Sequence, residues 1–299
     1  MFIANPLYDV VFKYMMDDND VAKQFVSTII GEKIVELDFS PKEYVFNLDV
    51  DKKNYTVYHL DFLAKIKTSD GFRSVIIEVQ KAKLPTDIMR FRRYLGGQYQ
   101  NESNCYEDSE GKRRAIQIYC IFILGKGLGI KGIPVLEIDQ RIKDYATQKE
   151  IEKCKNEFIS GLHHRSWIVQ VSELPRYRRN KVEEMLAIFD QSKCTDNISH
   201  LLNLPETSIS KEFAKILKRL SKAAQSEEVK NQMTLEDFYI ENFKINERII
   251  AAQKKALEEK DKTISEKDKT ISEKDKALSE KDKEIEELRQ QLQQTKRTR

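Results

Sequence analysis

Two carboxylates and an amide are spaced so that a β-hairpin could bring them together. Residues 59–83, HLDFLAKIKTSDGFRSVIIEVQKAK, contain Asp61 in a first strand-like run and Glu78 and Gln80 in a second. Side chains alternate across a strand, so Glu78 and Gln80 share one face, and a hairpin can place Asp61 beside Glu78. Hard oxygen ligands suit Mg²⁺ or Mn²⁺, which complete their coordination with water and phosphate. Such an ion can generate hydroxide and polarise a phosphodiester.

A purely structural role is the alternative for the same residues. In that interpretation Glu78 and Gln80 face solvent on an exposed side of the sheet, and Asp61 forms an ion pair with Lys65 or Arg73. Two polar groups on one face of so apolar a strand are costly unless something hydrates or binds them. The spacing by itself leaves both interpretations open.

Basic and aromatic residues follow the hairpin and could contact a phosphate backbone. They are Lys81, Lys83, Arg90, Arg92, Arg93, Tyr94 and Tyr99. Helical spacing places Arg90 near Arg93 and Tyr94, as expected of a phosphate-contacting face. An ordinary solvated helix is the alternative. Beside a metal site, the basic residues Lys81, Lys83, Arg90 and Arg93 predict a DNA-binding surface.

Other motifs in the chain do not predict a site. Residues 127–132 match the GxGxxG pattern, but in dinucleotide-binding proteins those glycines open a helix, whereas Pro134 and a strand-like run follow here. A flexible connection between two strands explains these glycines. The four cysteines lack CxxC spacing, and His163-His164 has no further ligand at zinc spacing.

The elements that would position the hairpin can be predicted from local patterns. Asn5-Pro6 is typical of a helix N-cap followed by proline, and Asp70-Gly71 is typical of a hairpin turn. In chain order, the first predicted elements are a helix after Asn5, a helix over 21–30 ending at Gly31, and strands over 43–50, 55–66 and 73–79. A helix over 85–101 and a central strand over 116–124 follow. The remaining predicted elements are strands over 135–138 and 167–171 and helices near 181–190, 210–224 and from 235 onward. This order predicts a mixed α/β core with a helical C-terminal half.

The C-terminal segment contains a seven-residue repeat. EKDKTIS at 259–265 recurs as EKDKTIS, EKDKALS and EKDKEIE. One heptad position holds an aliphatic residue throughout, namely Ile264, Ile271, Leu278, Ile285 and Leu292. If that position is a, the d positions are lysines until Leu288, so the apolar seam is thin. The repeat predicts a coiled-coil arm that forms a homo-oligomer, such as a dimer; a solvated single helix is the alternative.

The hairpin and its surroundings resemble the PD-(D/E)xK nuclease superfamily. The resemblance is to the Rpn-type branch of recombination-promoting nucleases, also labelled transposases. It rests on YDVVFKYMMDD at 8–18, the D…DG…(I)E-x-Q hairpin, RFRRYLGGQYQ at 90–100, AIQIYCIFIL at 115–124 and SELPRY at 172–177. It covers about residues 5–190, its most specific part is the E-x-Q hairpin, and the tail lies outside it.

The resemblance implies a restriction-endonuclease-like αβββαβ core and a role for four residues. Asp61 and Glu78 would be metal ligands. Gln80 would occupy the position of the superfamily's lysine, where an amide can donate a hydrogen bond to the attacking water but brings no charge. Lys81 points to the opposite strand face and cannot replace that lysine. Asp9, on the first helix, would be an accessory acid; the alternative is an exposed first-turn acid favoured by the helix dipole.

Composition limits these hypotheses. The 299 residues carry a net charge of +3, and the last 43 are neutral, with 12 basic and 12 acidic residues. That balance is far from the basic character of proteins that coat nucleic acid, so a local patch must bind DNA. The chain has no run of 18 apolar residues, no basic n-region typical of a secretory signal and no disulfide framework. We therefore expect a cytoplasmic protein with no membrane partner.

Two hypotheses of different classes follow. The first is a Mg²⁺-dependent DNA endonuclease that acts in recombination or mobility, with a nuclease-like domain over 1–190, a helical extension over 191–250 and a coiled-coil tail over 251–299. The second is a catalytically inactive DNA-binding or scaffold protein that self-associates through the tail. The glutamine in place of lysine and the near-neutral charge favour the second, whereas the Asp61…Glu78-x-Gln80 pattern and the wider resemblance favour the first.

Overall fold

The computed structural model describes the chain except for residues 40–46, 51–52, 57–61, 70, 81–86, 108–109, 152–155, 196–198, 206–208 and 298–299. The strands are β1 Phe2–Ala4, β2 Glu36–Phe39, β3 Asn47–Val50, β4 Lys53–Thr56, β5 Phe62–Thr68, β6 Gly71–Gln80, β7 Cys105–Glu107, β8 Arg113–Ala115, β9 Gln117–Leu124, β10 Val135–Ile138, β11 His164–Gln170 and β12 Leu201–Asn203. The α-helices are α1 Asp9–Met16, α2 Asn19–Ile30, α3 Asp87–Gln100, α4 Glu157–Gly161, α5 Lys181–Leu186, α6 Ala214–Gln225 and α7 Glu227–Arg297. Short 3₁₀ turns cover Val171–Glu173, Ala187–Phe189, Gln191–Lys193 and Lys211–Phe213.

Six strands form one mixed sheet in the order β10-β11-β9-β6-β5-β2. Strands β6, β9 and β11 are parallel, and their C-terminal ends are in register at Gln80, Leu124 and Gln170. Strands β5 and β2 continue the sheet antiparallel on one side, and β10 does so on the other. The prediction of a central strand over 116–124 is confirmed, because β9 lies between β11 and β6.

Helices cover both faces of this sheet. One face packs against α1, α2, α5 and α6 in the main hydrophobic core, to which β9 contributes Tyr119, Ile121 and Ile123. The opposite face packs against α3 in a smaller cluster, to which β9 contributes Ile118 and Cys120. Burial on both sides explains why the strand is apolar from Ile118 to Leu124.

The predicted hairpin is confirmed as the pair β5–β6. Its antiparallel register runs from Phe62 opposite Ile77 to Thr68 opposite Gly71. Residues 57–61 of the single strand predicted over 55–66 lie outside the described residues; before them β4 pairs with β3 in a separate two-stranded ladder, and after them β5 pairs with β6 from Phe62. Pairing with β6 determines the extent of β5, and no local pattern carries that information.

The predicted N-cap at Asn5 is also wrong. Helix α1 begins at Asp9, with Tyr8 at the N-cap position. Asn5 is fully buried, and its amide donates to the Gln191 side chain at 2.8 Å and to the Ser199 carbonyl at 2.7 Å. Its side-chain oxygen also accepts a local bond from the Leu7 amide at 3.1 Å, but no helix begins there, and its amide is held by residues nearly 200 positions away in the sequence. The predicted end of the second helix is confirmed, since Gly31 caps α2 in the left-handed conformation, with φ of 73°.

The chain forms two compact units, Met1–Glu236 and Asp237–Arg299. Residues 191–236, predicted to belong to a helical extension, lie within the first unit. Strand β12 pairs with β1, and α6 contributes Ile216, Leu220 and Ala223 to the main core. Their spacing of four and three residues places these side chains on one face of α6, which explains why the helix docks there.

The second unit is the greater part of the long helix α7, as predicted for the tail. The heptad residues Leu257, Ile264, Ile271, Leu278 and Ile285 are between 48% and 59% exposed. Within the described part of the chain, no helix combines the length and the apolar composition needed to cross a membrane.

Candidate functional site

Glu78 is a buried carboxylate near the C-terminal end of β6. The residue is only 1% exposed, and its register neighbour on β9 is Phe122. Ile76, two positions earlier, belongs to the cluster between the sheet and α3, so Glu78 faces α3 as well. An anion at this depth is costly unless other groups compensate for its lost hydration. The structural alternative placed Glu78 in solvent, and that part of it is wrong.

The cations that the structural alternative offered to Asp61 have other partners. The Lys65 ammonium donates a hydrogen bond to the Ser103 carbonyl, and Arg73 donates from Nε to the Tyr119 hydroxyl at 3.1 Å. Asp61 itself lies outside the described residues. The hairpin pair nearest to it joins its chain neighbour Phe62 to Ile77, which is the chain neighbour of Glu78.

Gln80 is the last residue of β6, two positions after Glu78. Its backbone pairs with Leu124, and its side chain lies outside the described part of the structure. The predicted role of its amide therefore stays a prediction. Lys81 and Lys83, predicted to bind DNA, also lie outside the described residues.

Helix α3 covers the face on which Glu78 lies and contains both arginines predicted to bind DNA, Arg90 and Arg93. Arg93 is exposed, whereas Tyr94 is 1% exposed, so grouping Tyr94 with a phosphate-contacting surface is wrong. The reason is the amphipathic pattern of α3, which directs Phe91 and Tyr94 inward. The Phe91 ring contacts Phe122, the register neighbour of Glu78, with centroids 4.0 Å apart.

Asp9 lies on the helix layer opposite to α3. Helix α1 packs its apolar side into the main core, whereas Glu78 faces the smaller cluster. The half-buried Asp9 carboxylate accepts a hydrogen bond from Lys13 at 2.8 Å, and its backbone N–H donates to the Glu236 carboxylate at 3.0 Å. These contacts are those of a first-turn acid with an i,i+4 partner, and they do not join Asp9 to Glu78.

The described residues by themselves do not assemble a metal site. Among them, no group of three or more His, Cys, Asp or Glu side chains lies close enough together to hold an ion. Glu78 is the carboxylate donor that the described part of the hairpin offers. The second predicted ligand, Asp61, belongs to the part of the chain outside this search.

Sequence reasoning missed a buried glutamine at the same edge of the sheet. Gln170, at the end of β11, is fully buried and accepts a hydrogen bond from the Leu128 amide at 2.6 Å. It donates to the carbonyls of Ile130 and Ile133 at 2.9 and 2.7 Å. Gln170 thus holds the loop that connects β9 to β10. The sequence feature that could have indicated this role is a glutamine at the end of an otherwise apolar strand.

This loop contains the GxGxxG match, and the prediction that it joins two strands is confirmed. No helix begins in residues 125–134, all of which the structure describes. A Cβ atom on Gly127 would lie 2.8 Å from the Ser172 hydroxyl and would force that side chain to shift, and Gly129 and Gly132 have positive φ angles of 88° and 74°, which favour glycine. The glycines therefore allow the backbone conformation of this loop.

Cys120 is a buried thiol on the same sheet face as Glu78. Burial raises its pKa to about 12, although a hydrogen bond with Ser166 opposes the shift. A thiol with so high a pKa is protonated at neutral pH and is a poor nucleophile. Cys120 therefore packs in this cluster without supplying chemistry.

Comparisons of the chain with protein-family models, with curated proteins and with solved structures find no match in any of the three. The fold established here is a mixed α/β fold with a six-stranded mixed sheet and a long C-terminal helix. The nuclease resemblance of the hairpin remains an interpretation of its motifs.

Proposed function

We propose that the protein is a Mg²⁺-dependent DNA endonuclease of the PD-(D/E)xK type, which hydrolyses phosphodiester bonds in DNA recombination or mobility. The observation that carries the proposal is the burial of Glu78, with 1% exposure, near the end of a central strand and two positions before Gln80. A divalent cation would compensate for the cost of burying this carboxylate. Carboxylate oxygens are the hard donors that Mg²⁺ prefers.

The topology supports a restriction-endonuclease-like core. After α1 and α2, the strands β2, β5 and β6 form an antiparallel meander, α3 crosses the sheet, and β9 returns parallel to β6. When the separate ladders β3–β4 and β7–β8 are set aside, this order is helices, three strands, helix, strand, which agrees with the order that the resemblance implies. The helices before and after the meander pack on opposite faces.

Each residue of the site has a distinct role in this proposal. Glu78 and Asp61 would hold Mg²⁺ or Mn²⁺, and such an ion, when bound, lowers the pKa of a coordinated water and polarises the phosphodiester. The Gln80 amide would donate a hydrogen bond that orients the attacking water. Lys81, Lys83, Arg90 and Arg93 would bind the flanking phosphates.

A plasmid-nicking assay tests the proposal. We expect supercoiled DNA to become nicked or linear when the full-length protein is supplied with Mg²⁺ or Mn²⁺, and to remain supercoiled in EDTA. The ion dependence follows from the need to activate water beside a phosphate anion. Intact plasmid with both ions, or equal cleavage in EDTA, would contradict a metal-dependent nuclease.

The tail favours a second candidate, a catalytically inactive DNA-binding or scaffold protein that self-associates. Helix α7 exposes an aliphatic residue every seven positions from Leu257 to Ile285. On a straight α-helix this spacing drifts by about 20° per repeat, so the row stays on one side only if the helix supercoils around a partner. The same arm would also dimerise an active nuclease, so cleavage distinguishes the two candidates.

Deletion of residues 257–299 is expected to reduce self-association and to leave the unfolding transition of the first unit unchanged. One aliphatic residue per heptad makes a thin seam, so the intact oligomer should be weak and dependent on concentration. Sedimentation velocity over a concentration series measures both. Substitution of Ile264, Ile271 and Leu278 by glutamine should reproduce the loss, whereas Ser265, Ser272 and Ser279 to alanine should not. A truncated protein that stays equally oligomeric would place the interface elsewhere.

A further inference from the structure

We infer that a basic groove beyond the end of β11 binds the phosphate backbone of DNA, at the end of the sheet at which the proposed cleavage site also lies. The groove is a cavity of about 740 Å³ lined by one segment after β11, a second segment near the end of α5, and Pro205; its lining residues are Val171, Ser172, Leu174, Arg176, Tyr177, Arg178, Asp190, Gln191, Ser192, Lys193 and Pro205. No predicted site residue lies in its lining. The identification of the ligand as DNA rests on the proposed function. The presence of a basic groove is observed directly in the structure.

The lining has an excess of positive charge. It contains the cationic side chains of Arg176, Arg178 and Lys193 and the carboxylate of Asp190. Arg178 donates to Asp190 at 2.7 Å, so this pair neutralises itself. Arg176 and Lys193 are exposed and form no ion pair with any residue that the structure describes. Two cations on opposite walls are therefore available to an anionic ligand.

The Arg178–Asp190 pair also joins the two walls of the groove. Both side chains are mostly buried, and Arg178 donates a further hydrogen bond to the Pro175 carbonyl. Asp190 accepts from the backbone N–H and the hydroxyl of Ser192, at 3.1 and 2.7 Å. These bonds fix the two walls relative to each other, so a ligand would have to order only the exposed side chains that contact it.

Tyr177 adds a surface suited to nucleic acid. Its side chain is 81% exposed at the groove, beside Arg176. A large exposed aromatic ring next to cations can contact a deoxyribose while the cations bind the adjoining phosphate. An isolated inorganic anion would make no use of that ring.

The groove and Glu78 lie at the same end of the parallel strands, although Val171 and Leu174 of the groove pack with the main core whereas Glu78 faces α3. Gln80 and Gln170, the last residues of β6 and β11, are both in register with Leu124 on the strand between them. Neighbouring strands are about 4.8 Å apart, so the two strand ends are separated by roughly 10 Å. That separation corresponds to about three nucleotides along one DNA strand. DNA bound in the groove would therefore lie within a few nucleotides of the end of β6.

Binding of a fluorescent DNA duplex to the full-length protein in EDTA, followed by anisotropy over a series of salt concentrations, tests the inference without requiring cleavage. For the double variant Arg176→Ala, Lys193→Ala we expect roughly tenfold weaker binding, and a slope of log K against log salt that is smaller by about 2, because each phosphate contact contributes about 0.9. The matched control Lys143→Ala, Lys149→Ala removes two exposed lysines outside the groove and should bind as the wild type does.

The outcomes separate this inference from the proposed function. If the groove variant loses DNA binding while the wild type fails to cut plasmid, the groove stands and the nuclease proposal falls. If the wild type cuts plasmid and the groove variant keeps the wild-type affinity and salt slope, the groove inference alone is overturned. Wild-type protein that binds a phosphopeptide but no DNA would also overturn it. Circular dichroism melting of each variant identifies any loss of fold.

Discussion

Glu78→Gln is expected to lower the rate of Mg²⁺-dependent plasmid cleavage by at least about a hundredfold, the effect typical of removing a group that stabilises charge in a reaction. Glutamine preserves the volume of the buried side chain, which is 1% exposed, so no cavity opens beside Phe122. It removes the negative charge that would hold the ion. Single-turnover cleavage at fixed Mg²⁺ measures the effect, and thermal unfolding of the variant tests whether the fold is kept.

Two further variants make this result specific. Asp61→Asn should cause a comparable loss, because it removes the second proposed ligand. Asp9→Asn should change the rate little, since the Asp9 carboxylate is paired with Lys13 on the helix layer opposite to Glu78. Wild-type cleavage by Glu78→Gln would show that the assigned site is wrong. A large loss on Asp9→Asn would restore that residue to the accessory role implied by the nuclease resemblance.

Asn5→Ala is expected to lower the free energy of unfolding by about 3 kcal/mol, because it leaves several buried polar groups without their hydrogen bonds. The Asn5 side chain donates to Gln191 and to the Ser199 carbonyl, and it accepts from the Leu7 amide at 3.1 Å. These bonds join the N-terminal strand to residues 191–203. Urea denaturation followed by the fluorescence of Trp167, the single tryptophan, which is buried in the main core, measures the change.

Asn203→Ala is the matched control for this substitution. Asn203 is an exposed asparagine on β12, the strand that pairs with β1, and its replacement should change stability by less than about 0.5 kcal/mol. A loss below about 1 kcal/mol for Asn5→Ala would mean that water replaces its partners. A separate unfolding transition for residues 191–236 would contradict their place in the first unit.

Local patterns in the sequence were sufficient for features that depend on neighbouring residues. The hairpin β5–β6, the helix end at Gly31, the strand over 135–138 and the continuous helix of the tail were all predicted. Each depends on a periodicity of two or seven residues, or on a conformation that glycine adopts easily. Because those interactions join residues close together in the sequence, these elements can be predicted without a structure.

Only the tertiary structure decided which polar residues are buried and what surrounds them. Glu78 and Arg73 both lie on β6, but α3 covers the carboxylate, whereas Arg73 bonds to Tyr119 of the neighbouring strand. Asn5 has the local pattern of an N-cap, yet its amide donates to Gln191 and Ser199, far away in the sequence. The basic groove exists because the parallel return of β11 places residues 171–178 next to 190–193. Burial and juxtaposition depend on contacts between distant segments, and no local sequence pattern encodes them.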